Sequence, residues 1–491
     1  MVIRFPFVVL GATMLLGGII YILHLLGLVT SANEVYMRFS AWGLFITGFA
    51  LTGWQKAKNH RFSWNDFYKN NTLIIVSLSA LLSSLFLMKR ISFYMIALFT
   101  VASFIRFLYT RKFYAPPKFF YFLFAYALLL FFGTIGTQEG FRFPDKILSF
   151  FLLPLAFCCF SLPKKTLLQI GDLFFKTGII FLVVIVLYWF FNFLHLDGSF
   201  TSWITGKNNY GAQMTGWELQ AQALGHVLAE NIIIYYPAHF FVNSWSYLFH
   251  PTANAFVLLG GLMVVFYLYF EKNSIRTITK WDLLLYAALC LFTFMLLGSR
   301  IGIVGFLLVI GIAGLYYLKL RTKYFKIGLA AYFLFGGISL VLFQDKVSGF
   351  VNDEIRDAYR RIAVSYIQEH FWWGSGFGQD RLAMNAQAEK MKDTLPEIVL
   401  NTPITHVHNQ FLGNMVQFGV WGLIALIVML AAIAYYAVKN RSYLLLTFLC
   451  FMLVFMMIEE NEYIKMLVFI TFFTAISESE KSNKKIVNLG K

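Results

Sequence analysis

Residues 405–430 read THVHNQFLGNMVQFGVWGLIALIVML, a polar stretch that gives way to an apolar one. A helix that crosses a bilayer needs about 20 mostly apolar residues, and the run from 410 to 437 is long enough. We therefore predict a membrane span there. His406, His408 and Asn409 stand where the chain is about to enter the membrane, and polar residues in that position suggest a functional site.

Apolar runs of similar length recur along the whole chain of 491 residues. Hydrophobic residues make up 59% of it and charged residues only 13%, with a mean hydropathy of +0.68. In lipid every backbone polar group must be hydrogen-bonded within the protein, so a spanning segment is either a helix or part of a closed β-barrel. The ten-residue alternating segments of a β-barrel are absent from the sequence. The pattern predicts an all-α fold, a polytopic transmembrane helical bundle of about 12–14 spans.

The predicted spans follow the apolar runs, and their boundaries carry an uncertainty of a few residues. They cover residues 5–29, 36–54, 72–88, 91–109, 119–137, 147–162, 167–194, 253–270, 281–298, 301–318, 327–343, 410–437, 442–458 and 463–477. The first run is too long for a cleavable signal peptide and lacks a small-residue cleavage site, so we expect it to remain as a span.

Basic residues set the expected orientation. Lysine and arginine gather in alternate connections, and the positive-inside rule places those connections and both termini in the cytoplasm. The chain then divides into five parts: N-terminal spans (1–195), a first large outer loop (196–252), further spans (253–343), a second large outer loop (344–409), and C-terminal spans with a cytoplasmic tail (410–491). The net charge of +16 is mostly explained by these inner connections, so nucleic acid is not an expected partner, whereas membrane lipids are.

The second outer loop contains a predicted amphipathic helix over residues 352–371. Its apolar residues share one stripe, which we expect to lie against the bundle: Ile355, Tyr359, Ile362 and Tyr366. The following stretch, FWWGSGFGQD at 371–380, has no strand before it, so its glycines favour a tight turn rather than a nucleotide-binding loop.

Two arginines on that helix have different expected partners. Asp357 lies four residues before Arg361, so Arg361 is expected to be a paired surface charge. Arg360 lies only three residues after Asp357 and has no acidic residue four residues before or after it. We therefore expect Arg360 to have a partner outside the helix.

The stretch LLGSRIGIVGFLL, residues 296–308, places Arg300 between two apolar runs that are too long for one span. A guanidinium deep in lipid is costly, so the sequence predicts a turn at the outer surface. Arg300 is there either a headgroup anchor or a ligand for a buried phosphate, since guanidinium forks bind phosphate well.

Residues 405–430 resemble the His-Asn motif and Gly-rich helix of the O-antigen ligase and polymerase family. Residues 298–302, GSRIG, are similar to the family's Ser-Arg-x-Gly turn, and Arg360 with the glycines after it resembles its loop helix and glycine turn. The segment YLFHPTANAF at 247–256 is similar to a His-Pro segment in some members. The likeness covers residues 250–440; before them it is one of topology only.

The resemblance implies a metal-independent, inverting glycosyltransferase that needs no cofactor. It also implies a bacterial inner membrane, with both large outer loops on the periplasmic face. Its donor would be a glycan on undecaprenyl diphosphate, and its acceptor either a lipid A-core sugar in a ligase or a growing glycan in a polymerase. His408 would help to deprotonate the acceptor hydroxyl, a role that suits an imidazole with an unperturbed pKa of about 6.5. Arg300 would bind the diphosphate, Asn409 would orient the site, and Arg360 would be a second diphosphate or loop contact.

Several points stay open in the sequence. Many ligases carry a further arginine in or near the first large outer loop, whereas here Lys207 is the only basic side chain in that loop. The second cation of the diphosphate site is then either Lys207, as a point charge without bidentate geometry, or Arg142 from another outer connection. His250 is a candidate substrate contact, and His406 has no assigned role. No residue separates ligase from polymerase. A transporter of lipid-linked sugars is disfavoured because no internal repeat is seen and the candidate charges gather at the outer edge.

Overall fold

The structure is a computed structural model that describes residues 71–86, 89–135, 137, 144–197, 251–270, 278–296, 299–320, 354–400, 404, 407–459, 463–480 and 486–487. The chain divides into two compact units, Met1–Met88 with Leu168–Ile303 and Lys89–Leu167 with Val304–Lys491. The predicted spans 5–29, 36–54 and 327–343 lie outside the described residues.

The all-helical class predicted from the sequence is confirmed, and several helices are apolar enough for a polytopic membrane protein. In chain order the helices are α1 Thr72–Ser84, α2 Lys89–Thr110, α3 Phe119–Phe132, α4 Pro144–Cys158, α5 Lys164–Asp197, α6 Pro251–Phe270, α7 Lys280–Leu296, α8 Arg300–Leu320, α9 Glu354–Glu369, α10 Asp380–Lys390, α11 Glu397–Leu400, α12 Gln410–Phe418, α13 Val420–Lys439, α14 Tyr443–Ile458 and α15 Tyr463–Glu480. Two short strands, β1 Phe113–Tyr114 and β2 Ile486–Val487, pair antiparallel.

Three stretches of the described chain have the length and apolar composition to cross a bilayer: Ser92–Thr110, Lys164–Val183 and Gln410–Lys439. Shorter apolar helices of 10–17 residues accompany them, among them Phe119–Phe132 and Tyr443–Met457. Each of these begins within a few residues of a predicted span, because the start of an apolar run can be read directly from the sequence.

In the first unit, small residues let α5 and α6 approach a large aromatic side chain of α7. Tyr286 is fully buried and its hydroxyl donates to the Leu258 carbonyl at 3.3 Å. A Cβ at Gly178 would come within 2.9 Å of the Tyr286 ring, and one at Gly261 would collide with its hydroxyl. Glycine at these two positions is therefore what admits the tyrosine.

In the second unit, a buried polar cluster joins α3, α12 and α15. The Tyr126 hydroxyl donates to Asn414 Oδ1 at 2.6 Å and lies 2.9 Å from the Tyr463 hydroxyl, while Gln410 Nε2 donates to the same Tyr463 oxygen. All four side chains are buried. Since a buried polar group is costly unless it is paired, this cluster fixes the position of α12 between its neighbours.

Residues 354–400, together with Ile404 and Val407, form a small core of their own against α12. The predicted stripe on α9 packs inward, with Ile362 fully buried and Ile355 partly buried, against residues of α10, α11 and α12 that include Met384, Val399 and Val416. The helix stops at Glu369, near the predicted end, and the three glycines that follow at 374, 376 and 378 all have positive φ. These glycines make the tight turn that the sequence predicts.

The stretch Gln410–Lys439 confirms the span predicted over 410–437, and within it the helix is interrupted at Gly419, which has φ 63°. The glycine turn enters the interruption. Ser375 N donates to Val416 O at 2.8 Å, Gly376 N to Gln417 O at 2.7 Å, and Val420 N to Phe371 O at 2.8 Å. The turn thus satisfies backbone groups that a continuous helix would have paired internally.

Candidate active site

His408 lies directly before α12, in the left-handed backbone region with φ 55°. Histidine is among the residues that adopt this region more readily than most, at a cost of about 1 kcal/mol or more. The preceding Val407 is buried at 1% exposure, and the following Asn409 is extended and begins the helix, so both neighbours hold the bend in place. The imidazole is partly accessible, with 21% of its side-chain surface exposed.

A buried carboxylate contacts the His408 ring. Nδ1 of His408 lies 3.0 Å from Oε1 of Glu459, whose side chain is 5% exposed and which follows the last residue of α14. A carboxylate at Nδ1 favours the neutral tautomer that carries its proton there, so that Nε2 is the proton acceptor. The pair therefore has the arrangement of a histidine base and the group that orients it.

Two residues of α9 complete the surroundings of this pair. The ring of Tyr359 is parallel to that of His408, with centroids 5.9 Å apart and an interplanar angle of 10°. Arg356, one turn earlier on the helix, places a guanidinium nitrogen 3.9 Å from Oε2 of Glu459. The loop helix thus brings one aromatic ring and one cation to the His408–Glu459 pair.

Asn409 is tied into the fold by both ends of its amide. Its Oδ1 accepts from Leu412 N at 3.0 Å, which makes it the N-cap of α12, and its Nδ2 donates to Met457 O at 3.0 Å. The side chain therefore links the start of α12 to the end of α14, the two places that supply His408 and Glu459. These contacts favour a role in positioning the site.

The expectation for the two arginines of α9 is wrong. Arg360 is the residue that pairs with Asp357, at 3.0 Å and within the helix, and both side chains are about half exposed. Arg361 is exposed and has no ion pair with Asp357. Asp357 thus pairs with the arginine three residues after it and not with the one four residues after it. The arginine of α9 with a partner outside the helix is Arg356.

The Ser-Arg-x-Gly turn is the N-terminus of α8. Ser299 is buried at 3% exposure, and its Oγ accepts from Gly302 N at 3.2 Å, which makes it the N-cap. A Cβ at Gly302 would come within 2.7 Å of the Phe294 ring, so glycine allows the turn to close against α7. Arg300 is the first residue of α8, and its side chain lies outside the described part of the chain.

The other candidates from the sequence, Lys207, His250, His406 and Arg142, also lie outside the described residues. Among the residues that the structure does describe, no three histidine, cysteine, aspartate or glutamate side chains form a group that could hold a metal ion.

Sequence reasoning missed Glu459 and Arg356. The signal for Glu459 was present, because residues 459–462 read EENE directly after an apolar run, and a carboxylate at a membrane edge invites a partner. Arg356 had no such signal: it is one of three arginines on α9, and only the packing of that helix shows which one meets the histidine.

The helices and this pair define a class: a polytopic membrane protein with a histidine and a buried carboxylate brought together where a loop meets apolar helices. Residues 285–427 match a family model described as O-Antigen ligase. The match covers the Ser-Arg-x-Gly turn, α9, the glycine turn and the His-Asn motif, and ends before Glu459. It confirms the resemblance drawn from those motifs over this part of the chain, and a match to that family implies an enzyme, a membrane glycosyltransferase. No curated protein sequence matches the chain.

Proposed function

We propose that the protein is an O-antigen ligase that transfers a glycan from undecaprenyl diphosphate to a lipid A-core sugar hydroxyl at the periplasmic face of the inner membrane. The observation that carries the proposal is the 3.0 Å contact between His408 Nδ1 and Glu459 Oε1. An acceptor hydroxyl is neutral and needs a base, and an imidazole held by a carboxylate supplies one.

In the proposed reaction, Nε2 of His408 takes the proton of the acceptor hydroxyl. The acceptor oxygen attacks the anomeric carbon of the donor sugar, the bond from that carbon to the diphosphate oxygen breaks, and the electron pair leaves with undecaprenyl diphosphate. A single displacement inverts the anomeric centre. Glu459 stabilises the positive charge that the ring acquires, and no metal takes part.

The diphosphate gains negative charge as it leaves, and guanidinium groups stabilise such charge with two parallel hydrogen bonds. The resemblance assigns this role to Arg300, as the first residue of α8 after the capped turn. For the second cation we propose Arg356 in place of Arg360, because Arg356 lies beside Glu459 while Arg360 is paired with Asp357 on the exposed side of α9. Lys207 and His250 remain proposed substrate contacts, and Asn409 is proposed to position the site through its two hydrogen bonds.

The decisive experiment is transfer in vitro with purified protein, an undecaprenyl-diphosphate glycan and EDTA, with and without lipid A-core. Transfer that requires lipid A-core and is lost in His408→Ala and Arg300→Ala supports the ligase. Longer lipid-linked glycans formed without lipid A-core would instead make the protein a polymerase, with a growing glycan as acceptor. His370→Ala is the matched control, since His370 is an exposed histidine of the same loop region and its Nδ1 lies 3.2 Å from Tyr366 O. Absence of any transfer by the wild type would contradict both readings.

A further inference from the structure

The glycine turn carries an exposed aromatic surface that the proposed chemistry does not use. Phe371, Trp372 and Trp373 are 43%, 59% and 79% exposed, and we call these three residues the aromatic patch. The ring of Trp372 lies 6.3 Å from that of Trp421, which is itself 45% exposed and stands in the first turn of α13. Three consecutive large aromatic side chains with so much open surface need a partner.

Trp421 begins a stripe of exposed side chains along α13. The stripe recurs at helical spacing and consists of Trp421, Ile424, Val428, Tyr435 and Val438. Such a face on a helix that is long and apolar enough to cross a bilayer is its lipid-facing side. The rise from Trp421 to Val438 is about 25 Å at about 1.5 Å per residue, close to the thickness of the hydrocarbon layer.

The stripe has interfacial residues at both ends. Trp421 stands at one end, and at the other Lys439 Nζ lies 5.6 Å from the centre of the Tyr435 ring. Aromatic rings at the two ends of a span, with a lysine beside one of them, are typical of the two membrane–water interfaces. The aromatic patch is continuous with the Trp421 end, and so reaches the interface on the His408 side of α13.

The patch is joined to the catalytic region through backbone contacts. The Phe371 carbonyl accepts from Val420 N at 2.8 Å, and a Cβ at Gly374 would come within 2.6 Å of the backbone of residues 417–419. Ser375 N donates to Val416 O on α12, the helix that begins directly after Asn409. The depth of the patch in the bilayer therefore sets the depth of the start of α12.

We infer that the aromatic patch is a membrane anchor that inserts into the headgroup region of the bilayer and holds the His408–Glu459 pair at a fixed height above the hydrocarbon. Tryptophan and phenylalanine side chains favour this layer, and the continuity of the patch with the lipid-facing stripe of α13 selects lipid as its partner. The inference goes beyond the proposed function, since it concerns where the loop sits whichever acceptor is used.

The test is tryptophan fluorescence of the protein in lipid nanodiscs, measured for the wild type and for the double variant Trp372→Phe/Trp373→Phe. The wild-type emission minus that of the double variant gives the emission of Trp372 and Trp373 alone. We expect this difference signal to lose most intensity with phospholipids brominated near the headgroup, less with bromine near the chain end, and little with iodide in the water. Trp421→Phe is the positive control, because its difference signal must be quenched by brominated lipid if α13 spans the nanodisc.

Two results would overturn the inference. Strong quenching of the difference signal by iodide with no effect of brominated lipid would place the patch in water, as for a protein- or sugar-binding surface. Strongest quenching by deep bromine would place it in the hydrocarbon. Phenylalanine preserves an aromatic side chain at both positions, and an unchanged melting temperature checks that the double variant is folded. The measurement needs no turnover, so its outcome is separate from that of the transfer assay.

Discussion

His408 Nδ1 and Glu459 Oε1 lie 3.0 Å apart although 51 residues separate them in the chain. The first stands before α12 and the second after α14, and Asn409 ties these two places together through the Met457 carbonyl. An acid–base pair assembled from two helix ends depends on both ends holding their positions.

Glu459→Gln should lower kcat with little change in KM. The amide keeps the size of the side chain but not its charge, so the tautomer and the developing imidazolium lose their support; we expect a loss of about 10²-fold, and a loss of about 10²–10⁴-fold for His408→Ala. Steady-state transfer kinetics check both variants. Glu389→Gln is the control, since that carboxylate is exposed and its one ion pair, with Lys392 Nζ, is long at 3.9 Å. A Glu459→Gln enzyme with wild-type kcat would remove the carboxylate from the mechanism.

Arg356→Gln and Arg360→Gln form a matched pair one helical turn apart. Arg356 lies beside Glu459, so its loss should reduce transfer at least about ten-fold if it binds the leaving diphosphate. Arg360 loses only an exposed ion pair with Asp357, worth about 0–1 kcal/mol, and its variant should retain activity. Kinetics with varied donor concentration compare them. The reverse order of effects would restore Arg360 as the loop cation.

Tyr126→Phe should destabilise the protein by about 1–3 kcal/mol, because it removes the hydroxyl that donates to the buried Asn414 Oδ1. Denaturant unfolding in detergent measures the change in the free energy of unfolding. Tyr121→Phe on the same helix is the control, since Tyr121 is 61% exposed. Equal stability of the two variants would show that the polar cluster does not hold α12 in place.

Gly374→Ala should be more damaging than its size suggests. Gly374 has φ 61°, and a Cβ there would lie 2.6 Å from backbone atoms that cannot move aside, so we expect a loss of at least about 2 kcal/mol. Leu382→Ala, at an exposed position of α10, should change stability little. Unfolding midpoints in detergent compare the two variants. An unchanged midpoint for Gly374→Ala would show that the turn does not pack against the backbone of residues 417–419.

Glu369 predicts a small pH dependence of the loop region. Hydrogen bonds from Lys390 and then from Gln387 lower the pKa of its carboxyl below the ordinary 4.5. A lowered folded-state pKa means that the stabilisation is complete above the unfolded pKa and is lost as the pH falls through the folded one. From pH 6 downwards, the melting temperature should fall less in Glu369→Gln than in the wild type. An equal fall in the two proteins would exclude a contribution of Glu369 to the pH dependence.

Much of the fold could be predicted because its cause is local. The bilayer requires apolar helices of a given length, and α2, α3, α6, α7 and α14 occur where the apolar runs are. The stripe on α9 and the glycine turn follow likewise from helical spacing and from the need for positive φ. His408 could be proposed from the sequence because its motif is contiguous.

The remaining features are not local. The break at Gly419 arises because the glycine turn, some 45 residues earlier, supplies hydrogen bonds to Val416 and Gln417 that compete with a continuous helix. Arg360 rather than Arg361 pairs with Asp357, and only the packing of α9 selects Arg356 as the cation near Glu459.

The sequence by itself determined a bundle of membrane helices and the residues of the His-Asn motif, since hydrophobic length and contiguous motifs need no partner elsewhere in the chain. Only the tertiary structure decided that Glu459 meets His408, because that contact depends on Asn409 joining the start of α12 to the end of α14, and a hydrogen bond across 51 residues exists only once both helices are packed.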